Sequence, residues 1–324
     1  MQLRRPTSLS IAFPGPGQVE LRQERLARPK RGEELLEARC SLVSTGTERT
    51  CLERDFEPGS HWDAWVQYPF RPGYSFVGVT GSGERVCAHA PHAQRVVLPQ
   101  DLLIPVPDGV SDEDASWFAL ASIAQIGIAA AEISPGDSVV VLGAGVLGQL
   151  VAQLARVAGA DSVIAVAGAG PRLDAALAHG ASHVIAASAA GAREEILART
   201  NGEGAAIVFD VTGSEPVFAD ALKLARRHGT VVLLGDAGHP AQQHLAPELL
   251  LNGLRVVGAH FEHADTEGRR RMAAQFFEAL QLGSVVVGDL ITQRARPQDA
   301  AALYASLAQD DRGRIGVLFD WSLA

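Results

Sequence analysis

The sequence predicts an α/β protein in which a β-rich first region precedes a doubly wound parallel sheet. In the first region, Leu36, Ala38, Cys40 and Leu42 alternate with polar residues, which is the period of a half-buried antiparallel strand. From about residue 120, short apolar runs alternate with helical segments instead. This second pattern predicts parallel strands covered by helices on both faces.

The clearest local signal is the segment SVVVLGAGVLG at residues 138–148. An apolar strand here breaks into Gly143, Gly145 and Gly148, and apolar residues then repeat at helical spacing. One glycine suits the tight turn, the second lets the backbone approach a pyrophosphate, and the third packs helix on strand. The segment therefore predicts a dinucleotide site at a helix N-terminus.

The remaining elements follow from the same patterns. Ser111 with Asp114 three residues later predicts a helix N-cap. Later strands are expected at 163–166, 183–185, 206–211, 231–234 and 255–257, with a helix at 219–227. The stretch from about residue 260 is too short for another domain, so we expect it to return to the first one.

Composition excludes several classes of function. A chain of 324 residues suggests two domains, and a net charge of -9 argues against nucleic-acid and anionic-membrane partners. The triplet Arg269–Arg271 is interpreted as a solvated helix face. Three cysteines, with no apolar segment of signal-peptide or membrane-spanning length, predict a cytoplasmic protein.

Five motifs, taken in order, resemble the medium-chain dehydrogenases/reductases. They are TGTE at 45–48, PGYSFVGV at 72–79, GERV at 83–86, GAGVLG at 143–148 and FDVTGS at 209–214. The resemblance implies a GroES-like β-barrel catalytic domain at residues 1–120 and 262–324, and a Rossmann domain at 121–261. It also implies a homodimer, with strand 255–257 near the two-fold axis.

The sequence departs from the zinc-dependent members of this family. Where they carry a thiolate, an imidazole and a carboxylate, this chain has Thr45, Tyr74 and Ser75, which are poor zinc ligands. The cysteine-rich lobe of many members is also missing. We therefore expect a zinc-less member with no metal site. The alternative is a metal cluster of Cys87, His89 and His92, which lies outside the family's metal positions.

The family pattern implies which residues contact the dinucleotide. They are Gly143, Gly145, Val146, Leu147, Gly148, Val211, Thr212, Gly213, Gly235 and Arg314. The acidic residue that binds the adenosine ribose in NAD-dependent folds is absent at Ala167, and Arg172 follows. Space beside an arginine suits a 2′-phosphate, which favours NADP(H), with NAD(H) as the alternative.

Without zinc, hydroxyl groups are the candidates for stabilising charge on a reacting oxygen. Thr47 matches the hydroxyl that begins the proton relay in zinc-dependent members. Tyr74 replaces the metal-binding imidazole, and Ser44 is the third candidate. The alternative is structural: Thr47 caps a helix and Tyr74 fills the space of the metal.

Aromatic residues cluster between these motifs, at Trp62, Trp65, Tyr68, Phe70, Tyr74 and Phe76. They either line a cleft for a bulky apolar substrate or pack against neighbouring structure. His61 and Asp63 could supply a general base. The segment YPFRPGY at 68–74 also resembles the bacteriochlorophyllide dehydrogenase-type branch, which would imply a macrocyclic substrate.

The expected function is zinc-independent, NAD(P)H-dependent interconversion of a carbonyl and an alcohol on a small organic or specialised-metabolite substrate. Reduction of an activated C=C bond or a quinone is the first alternative. A non-catalytic dinucleotide-binding protein is the second.

Overall fold

The computed structural model describes residues 6–309 and 313–324. In the first region the strands are β1 (Thr7–Ala12), β2 (Glu20–Arg25), β3 (Glu33–Leu42), β4 (Ser75–Val79), β5 (Arg85–Ala88), β6 (Arg95–Pro99) and β7 (Ile104–Pro105). The helices are α1 (Thr45–Glu53), α2 (His61–Trp65), α3 (Asp112–Ala115) and α4 (Phe118–Ala131). Ser111 caps α3 by accepting a hydrogen bond from the Asp114 amide, as predicted.

The second region alternates strands with helices. Its strands are β8 (Ser138–Leu142), β9 (Ser162–Ala167), β10 (His183–Ala186), β11 (Ala205–Asp210), β12 (Ala225–Leu233) and β13 (Arg255–Gly258). Its helices are α5 (Val146–Val157), α6 (Pro171–His179), α7 (Arg193–Arg199), α8 (Glu215–Leu224) and α9 (Glu248–Leu251). The chain continues through α10 (Thr266–Gln281), β14 (Ile291–Ala295), α11 (Ala300–Gln309) and β15 (Gly316–Asp320).

The second region confirms the predicted fold class. Its strands form one parallel sheet in the order β10-β9-β8-β11-β12-β13, so the chain order reverses beside β8. Ligands of such sheets bind at the carboxyl ends of the strands, next to this reversal. The glycine segment lies there, directly after β8.

The first region forms a mixed sheet in the order β14-β15-β3-β4-β5-β7, and β6 also pairs with β3. The last strands of the chain thus join the first ones, because β15 runs antiparallel to β3. Strand β3 shows the predicted alternation except at Ser41, which is buried because Trp321 covers that face.

One predicted strand and one predicted helix have the wrong bounds. The strand expected at 231–234 is β12, which already begins at Ala225 and ends at Leu233. The helix expected at 219–227 starts earlier and ends at Leu224, and Ala225 already belongs to β12. Ala225 pairs with Ala205 of β11, so the strand pairing overrides the helical pattern of the local sequence.

One core crosses the boundary between the regions. It joins Leu42 and Val77 of the first sheet to Phe118 of α4, Phe209 of β11 and Phe276 of α10. Continuous packing of this kind attaches the first region to the parallel sheet through α4 and α10. Among the described residues, no helix is both long and apolar enough to span a membrane.

Candidate functional site

The structure brings the three predicted catalytic hydroxyls together. The Tyr74 hydroxyl donates to Ser44 Oγ at 2.7 Å, and Ser44 Oγ donates to Thr47 Oγ1 at 3.1 Å. Ser44 is buried, whereas Thr47 and Tyr74 are partly exposed. The chain of hydrogen bonds therefore runs from Tyr74 through Ser44 and ends at Thr47.

Helix α1 and strand β4 position these groups. Ser44 is the N-cap residue of α1, Thr47 lies in its first turn, and Tyr74 immediately precedes β4. Burial raises the pKa of Tyr74 to about 12, although its hydrogen bond to Ser44 and the nearby Thr47 hydroxyl work in the opposite direction. At neutral pH, Tyr74 is therefore a neutral phenol that can donate a hydrogen bond and cannot act as a base.

A buried carboxylate fixes this cluster from behind. Glu48 accepts a hydrogen bond from the Ser44 amide at 2.8 Å and another from the Tyr304 hydroxyl. Its second oxygen lies 3.1 Å from His92 Nε2, and His92 Nδ1 contacts Ser41 Oγ at 2.7 Å. The carboxylate oxygens of Glu48 are thus occupied by the Ser44 amide, His92 and Tyr304.

Replacement of Glu48 tests whether this network holds the site. We expect Glu48→Ala to lower the free energy of unfolding by about 3–5 kcal/mol, because buried His92 and Tyr304 lose their partner. Glu53→Ala is the control, since its i,i+4 pair with Arg49 is exposed and worth about 0.5 kcal/mol at most. Urea denaturation of both variants measures the difference, and equal losses would contradict a structural role for the network.

The glycine segment has the geometry that a dinucleotide site needs. Gly143 has φ +105°, and a Cβ at Gly148 would lie 2.0 Å from the Gly143 carbonyl oxygen. A Cβ at Gly145 would meet no protein atom within 4 Å. Packing thus requires the first and third glycines, whereas the open space at Gly145 fits a ligand that approaches the backbone.

Helix α5 begins at this turn without a side-chain cap. Gly145 is its N-cap residue, and Val146 and Leu147 form its first turn. Because the first amides of a helix lack partners within it, they offer hydrogen bonds to an anion at this end. These residues can hold the pyrophosphate of a dinucleotide.

Further predicted contacts lie at the carboxyl ends of the neighbouring strands. Val211, Thr212 and Gly213 follow β11, and Gly235 follows β12. A Cβ at Gly235 would lie 2.2 Å from the Gly213 amide nitrogen, so the two loops pack backbone against backbone. The end of β8 and these loops lie side by side at the carboxyl edge of the parallel sheet.

The ribose end of the predicted site lies after β9. Ala167 is the last residue of β9, and Arg172 lies in the first turn of α6. Arg172 Nε donates to the Arg314 carbonyl oxygen at 2.7 Å, so these two predicted residues are neighbours. Gln149 of α5 donates to the carbonyls of Ala144 and Arg172, which ties α6 to the glycine turn.

The residues at the family's metal positions do not fit zinc. Thr45 and Ser75 carry hydroxyls, and the Tyr74 phenol is engaged with Ser44. The alternative metal cluster of Cys87, His89 and His92 is wrong. His92 is hydrogen-bonded to Ser41 and Glu48, and the Cys87 thiol donates to the Ala115 carbonyl oxygen. In the described part of the chain, no three His, Cys, Asp or Glu residues are arranged to hold a metal ion.

The aromatic segment mostly contributes to packing. Trp62, Phe70 and Phe76 are buried, and Trp62 stacks on Phe56 with 6.3 Å between ring centroids. Trp65 is 50% exposed and meets Phe70 edge to face. Asp63 is bound by Arg54 and the Gly59 amide, which lower its pKa, so it is a weaker base than expected.

Sequence reasoning missed two histidine–aspartate pairs that join the regions. His61 Nε2 lies 2.7 Å from Asp236, directly after Gly235, and His239 Nε2 lies 2.9 Å from Asp55. The Glu57 amide also donates to the Gly238 carbonyl. The segment after α1 is therefore attached to the loop after β12.

The His239–Asp55 pair predicts a pH-dependent contact between the two regions. The hydrogen bond to Asp55 raises the pKa of His239 above its ordinary value of 6.5. The contribution of this pair is therefore complete below pH 6.5 and disappears as the pH rises through the raised pKa. We expect amide exchange at Glu57 and Ala241, corrected for the intrinsic rate, to increase over that range. In His239→Gln the corrected exchange rate should not vary with pH. If the variant kept the pH dependence of the wild-type protein, the prediction would be contradicted.

Two surface pockets lie elsewhere. One of about 290 Å³ includes Asp137, Arg226 and Arg255 near the amino ends of the parallel strands, and one of about 330 Å³ lies between β7 and α10. Neither is lined by a predicted site residue. The carboxyl ends of the strands therefore remain the candidate site.

The two sheets and the glycine turn define an α/β fold in which the carboxyl ends of the parallel strands have the geometry that a dinucleotide needs. The family model of zinc-binding dehydrogenases matches residues 146–281. D-guloside 3-dehydrogenase of Escherichia coli (strain K12) is 31% identical over 225 residues, which are 64% of this chain and 62% of that protein. The match thus spans less than two thirds of this curated relative.

Solved structures share the whole fold. A protein assigned as a zinc-binding dehydrogenase from Sinorhizobium meliloti 1021, bound to NADP, superposes with a TM-score of 0.80 at 20% identity, covering 98% of this chain and 100% of that one. A protein assigned as an NADPH:quinone reductase from Bacillus thuringiensis gives 0.82 at 17% identity, covering 97% and 99%. The family-model match, the similarity to D-guloside 3-dehydrogenase and the shared fold together confirm the expected resemblance to the zinc-type medium-chain dehydrogenases/reductases.

Proposed function

We propose that this chain is a zinc-independent oxidoreductase that interconverts a carbonyl and an alcohol on a small organic substrate. The carrying observation is the chain of hydroxyls from Tyr74 through Ser44 to Thr47, in which Tyr74 stands where the sequence resemblance places a metal-binding imidazole. It supplies hydrogen-bond donors where a carbonyl oxygen would gain negative charge. The sequence similarity to D-guloside 3-dehydrogenase, whose name describes this class of reaction, supports the proposal.

The cofactor we propose is NADP(H). The open backbone at Gly145 and the uncapped start of α5 fit its pyrophosphate. Ala167 places no carboxylate at the ribose end, and Arg172 lies one turn beyond. The Sinorhizobium meliloti structure, which is bound to NADP, supports a nicotinamide dinucleotide as the cofactor. The nicotinamide of such a cofactor exchanges a hydride with the substrate carbon.

The chain's own residues would handle the proton. Thr47, at the end of the relay and partly exposed, is placed to donate to the substrate oxygen. Ser44 can return a proton to Thr47 and Tyr74 can return one to Ser44, while the partly exposed Tyr74 hydroxyl takes its replacement proton from solvent. The buried Glu48 accepts a hydrogen bond from the Ser44 amide and so fixes the position of Ser44 in the relay. Because the residues do not fit zinc, no step is assigned to a metal.

Product analysis tests the reaction class. With NADPH, we expect cyclohexanone to be reduced to cyclohexanol, and 2-cyclohexen-1-one to yield the allylic alcohol. Formation of cyclohexanone from the enone would instead show C=C reduction, the first alternative. If a broader panel of ketones, enones and quinones consumed no NADPH although NADPH bound, the chain would be a dinucleotide-binding protein.

Cofactor preference is tested at Arg172. We expect Arg172→Ala to weaken NADPH binding about 10- to 100-fold and to leave NADH binding within about twofold, because a charged hydrogen bond to the 2′-phosphate is lost. Arg193→Ala is the control, since Arg193 is exposed at the start of α7. Fluorescence titration with both nucleotides measures the affinities. Tighter binding of NADH to the unmodified protein would overturn the choice.

We also propose a cytoplasmic homodimer. Strand β13 is an edge of the parallel sheet, and Val256, Leu250 and Leu251 expose 36%, 86% and 72% of their surface beside it. Pairing of two such edges would cover these side chains. Cys40, Cys51 and Cys87 are buried free thiols, which suits a reducing compartment.

A further inference from the structure

The side chain of Gln149 in α5 is a buried amide that bonds to two loops at once. Its Nε2 donates to the Ala144 carbonyl oxygen at 2.9 Å and to the Arg172 carbonyl oxygen at 2.7 Å. Ala144 lies in the glycine turn, and Arg172 lies in the first turn of α6. Gln149 is buried, with 1% of its surface exposed, so water does not compete for these bonds. A single NH₂ group therefore sets the spacing between the turn and the start of α6.

The oxygen of the same amide is placed less favourably. Because both partners of the NH₂ group are carbonyl oxygens, Gln149 Oε1 must point away from them. There it is buried and has no hydrogen-bond partner among the described residues. A buried acceptor without a partner lowers the stability of a fold, and an apolar side chain of the same length would avoid this cost. What Gln149 contributes is therefore the pair of bonds from its NH₂ group.

Gln153, one turn further along α5, shows the ordinary arrangement of a buried glutamine. Its Nε2 donates to the Val286 carbonyl oxygen at 3.0 Å, and its Oε1 accepts from the Val286 amide at 2.7 Å. Both ends of this amide are satisfied, and Val286 is not among the predicted dinucleotide contacts. The glutamine that is only half satisfied is thus the one that joins two loops of the dinucleotide site.

Both loops leave space for a ligand beside their backbone. A Cβ at Gly145 in the turn, or at Gly168 in the loop before α6, would meet no protein atom within 4 Å. The side chain of Arg172 is held as well, because its Nε donates to the Arg314 carbonyl oxygen at 2.7 Å. Arg172 is therefore fixed at its backbone by Gln149 and at its guanidinium by the last part of the chain.

We propose that Gln149 is a positioning residue for NADP(H), which fixes the distance between the turn for the pyrophosphate and the arginine for the 2′-phosphate. The inference rests on the proposed cofactor and adds the residue that sets the geometry of its site. Both phosphate groups belong to one ligand, so loops that already have the right spacing bind it at a lower cost. Gln149 does not touch the ligand and acts through Arg172 and the turn.

A double-mutant cycle tests this role. Gln149→Met keeps an unbranched side chain of similar length and removes the NH₂ group. We expect it to weaken NADPH binding about tenfold and NADH binding less than about threefold, because NADH lacks the phosphate that reaches Arg172. In an Arg172→Ala background, the same substitution should change NADPH binding less than about twofold, since the group that it positions is already gone. Fluorescence titration of the four proteins gives the affinities.

Gln153→Met is the matched control, because it also removes a buried glutamine with two hydrogen bonds from α5. We expect its affinities for NADPH and NADH to stay within about twofold of wild type. Its urea midpoint should fall at least as far as that of Gln149→Met, since only the Gln149 substitution also removes an unpaired oxygen. Gln149→Leu, which lacks the NH₂ group too, gives the same affinity measurement should Gln149→Met not fold.

Four results would overturn the role of Gln149. The first two are wild-type affinity for NADPH in Gln149→Met and equal losses of NADPH and NADH in that variant. The third is a loss of NADPH affinity that persists undiminished in the Arg172→Ala background. The fourth is failure of both Gln149→Met and Gln149→Leu to fold, which would make the residue structural.

These results separate the positioning role from the proposed function. If Arg172→Ala leaves NADPH affinity unchanged, the proposed cofactor is wrong and the role of Gln149 falls with it. If Arg172→Ala weakens NADPH binding but Gln149→Met does not, the cofactor stands and the positioning role is wrong. If Gln149→Met gives the expected affinities but no carbonyl compound is reduced, the reaction is wrong and the positioning role stands.

Discussion

Gly148→Ala is expected to destabilise the whole protein, whereas Gly145→Ala is expected to impair only dinucleotide binding. At Gly148, the added Cβ would lie 2.0 Å from the Gly143 carbonyl oxygen, so α5 would have to move away from β8. Overpacking of this kind costs about 1–3 kcal/mol or more. At Gly145, the Cβ meets no protein atom, and an N-cap alanine costs about 0.5 kcal/mol relative to glycine.

Urea denaturation and NADPH fluorescence titration check the two halves of this prediction. Gly145→Ala should unfold near the wild-type midpoint and bind NADPH about tenfold more weakly or worse, because the methyl group blocks the approach of the pyrophosphate. Wild-type affinity in Gly145→Ala would mean that the dinucleotide does not lie against this turn. Wild-type stability in Gly148→Ala would contradict the close helix–strand packing.

Tyr74→Phe and Thr47→Val should each lower kcat for ketone reduction by about 100- to 10,000-fold, the range of a positioned acid. Each substitution removes one hydroxyl from the series of hydrogen bonds that joins Tyr74 to Thr47. The aromatic ring at position 74 and the branched side chain at position 47 remain. Nucleotide affinity should stay within about twofold, since neither residue lies at the glycine turn. Steady-state rates with NADPH and cyclohexanone provide the measurement.

Thr50→Val is the matched control, because Thr50 lies in the same helix one turn beyond Thr47. We expect it to leave kcat unchanged. Unchanged turnover in both Tyr74→Phe and Thr47→Val would show that the hydroxyl cluster has only a structural role.

The sequence predicted those parts of the site that depend on neighbouring residues. The strand–glycine–helix unit at residues 138–148 is local, and its spacing was sufficient to identify the turn. The grouping of Ser44 and Thr47 is also local, since both belong to the start of α1, and the family pattern added Tyr74.

Contacts between distant segments could not be predicted in the same way. Tyr304 reaches Glu48 from 256 positions away, and no periodicity records that contact. Arg269 follows an ordinary helical pattern, and only the position of Phe261 turns it away from solvent. The helix expected at 219–227 ended early for the same reason, because β11 pairs with Ala225.

The histidine–aspartate pairs between the regions would couple the two ligands of the proposed reaction. Asp236 belongs to the loop that follows Gly235 on the dinucleotide side, and its partner His61 belongs to the segment leading to Tyr74. A ligand that displaces one of these segments therefore changes the free energy with which the other segment binds its own ligand. Since such coupling is reciprocal, any substitution that makes NADPH binding strengthen substrate binding must make substrate strengthen NADPH binding by the same factor.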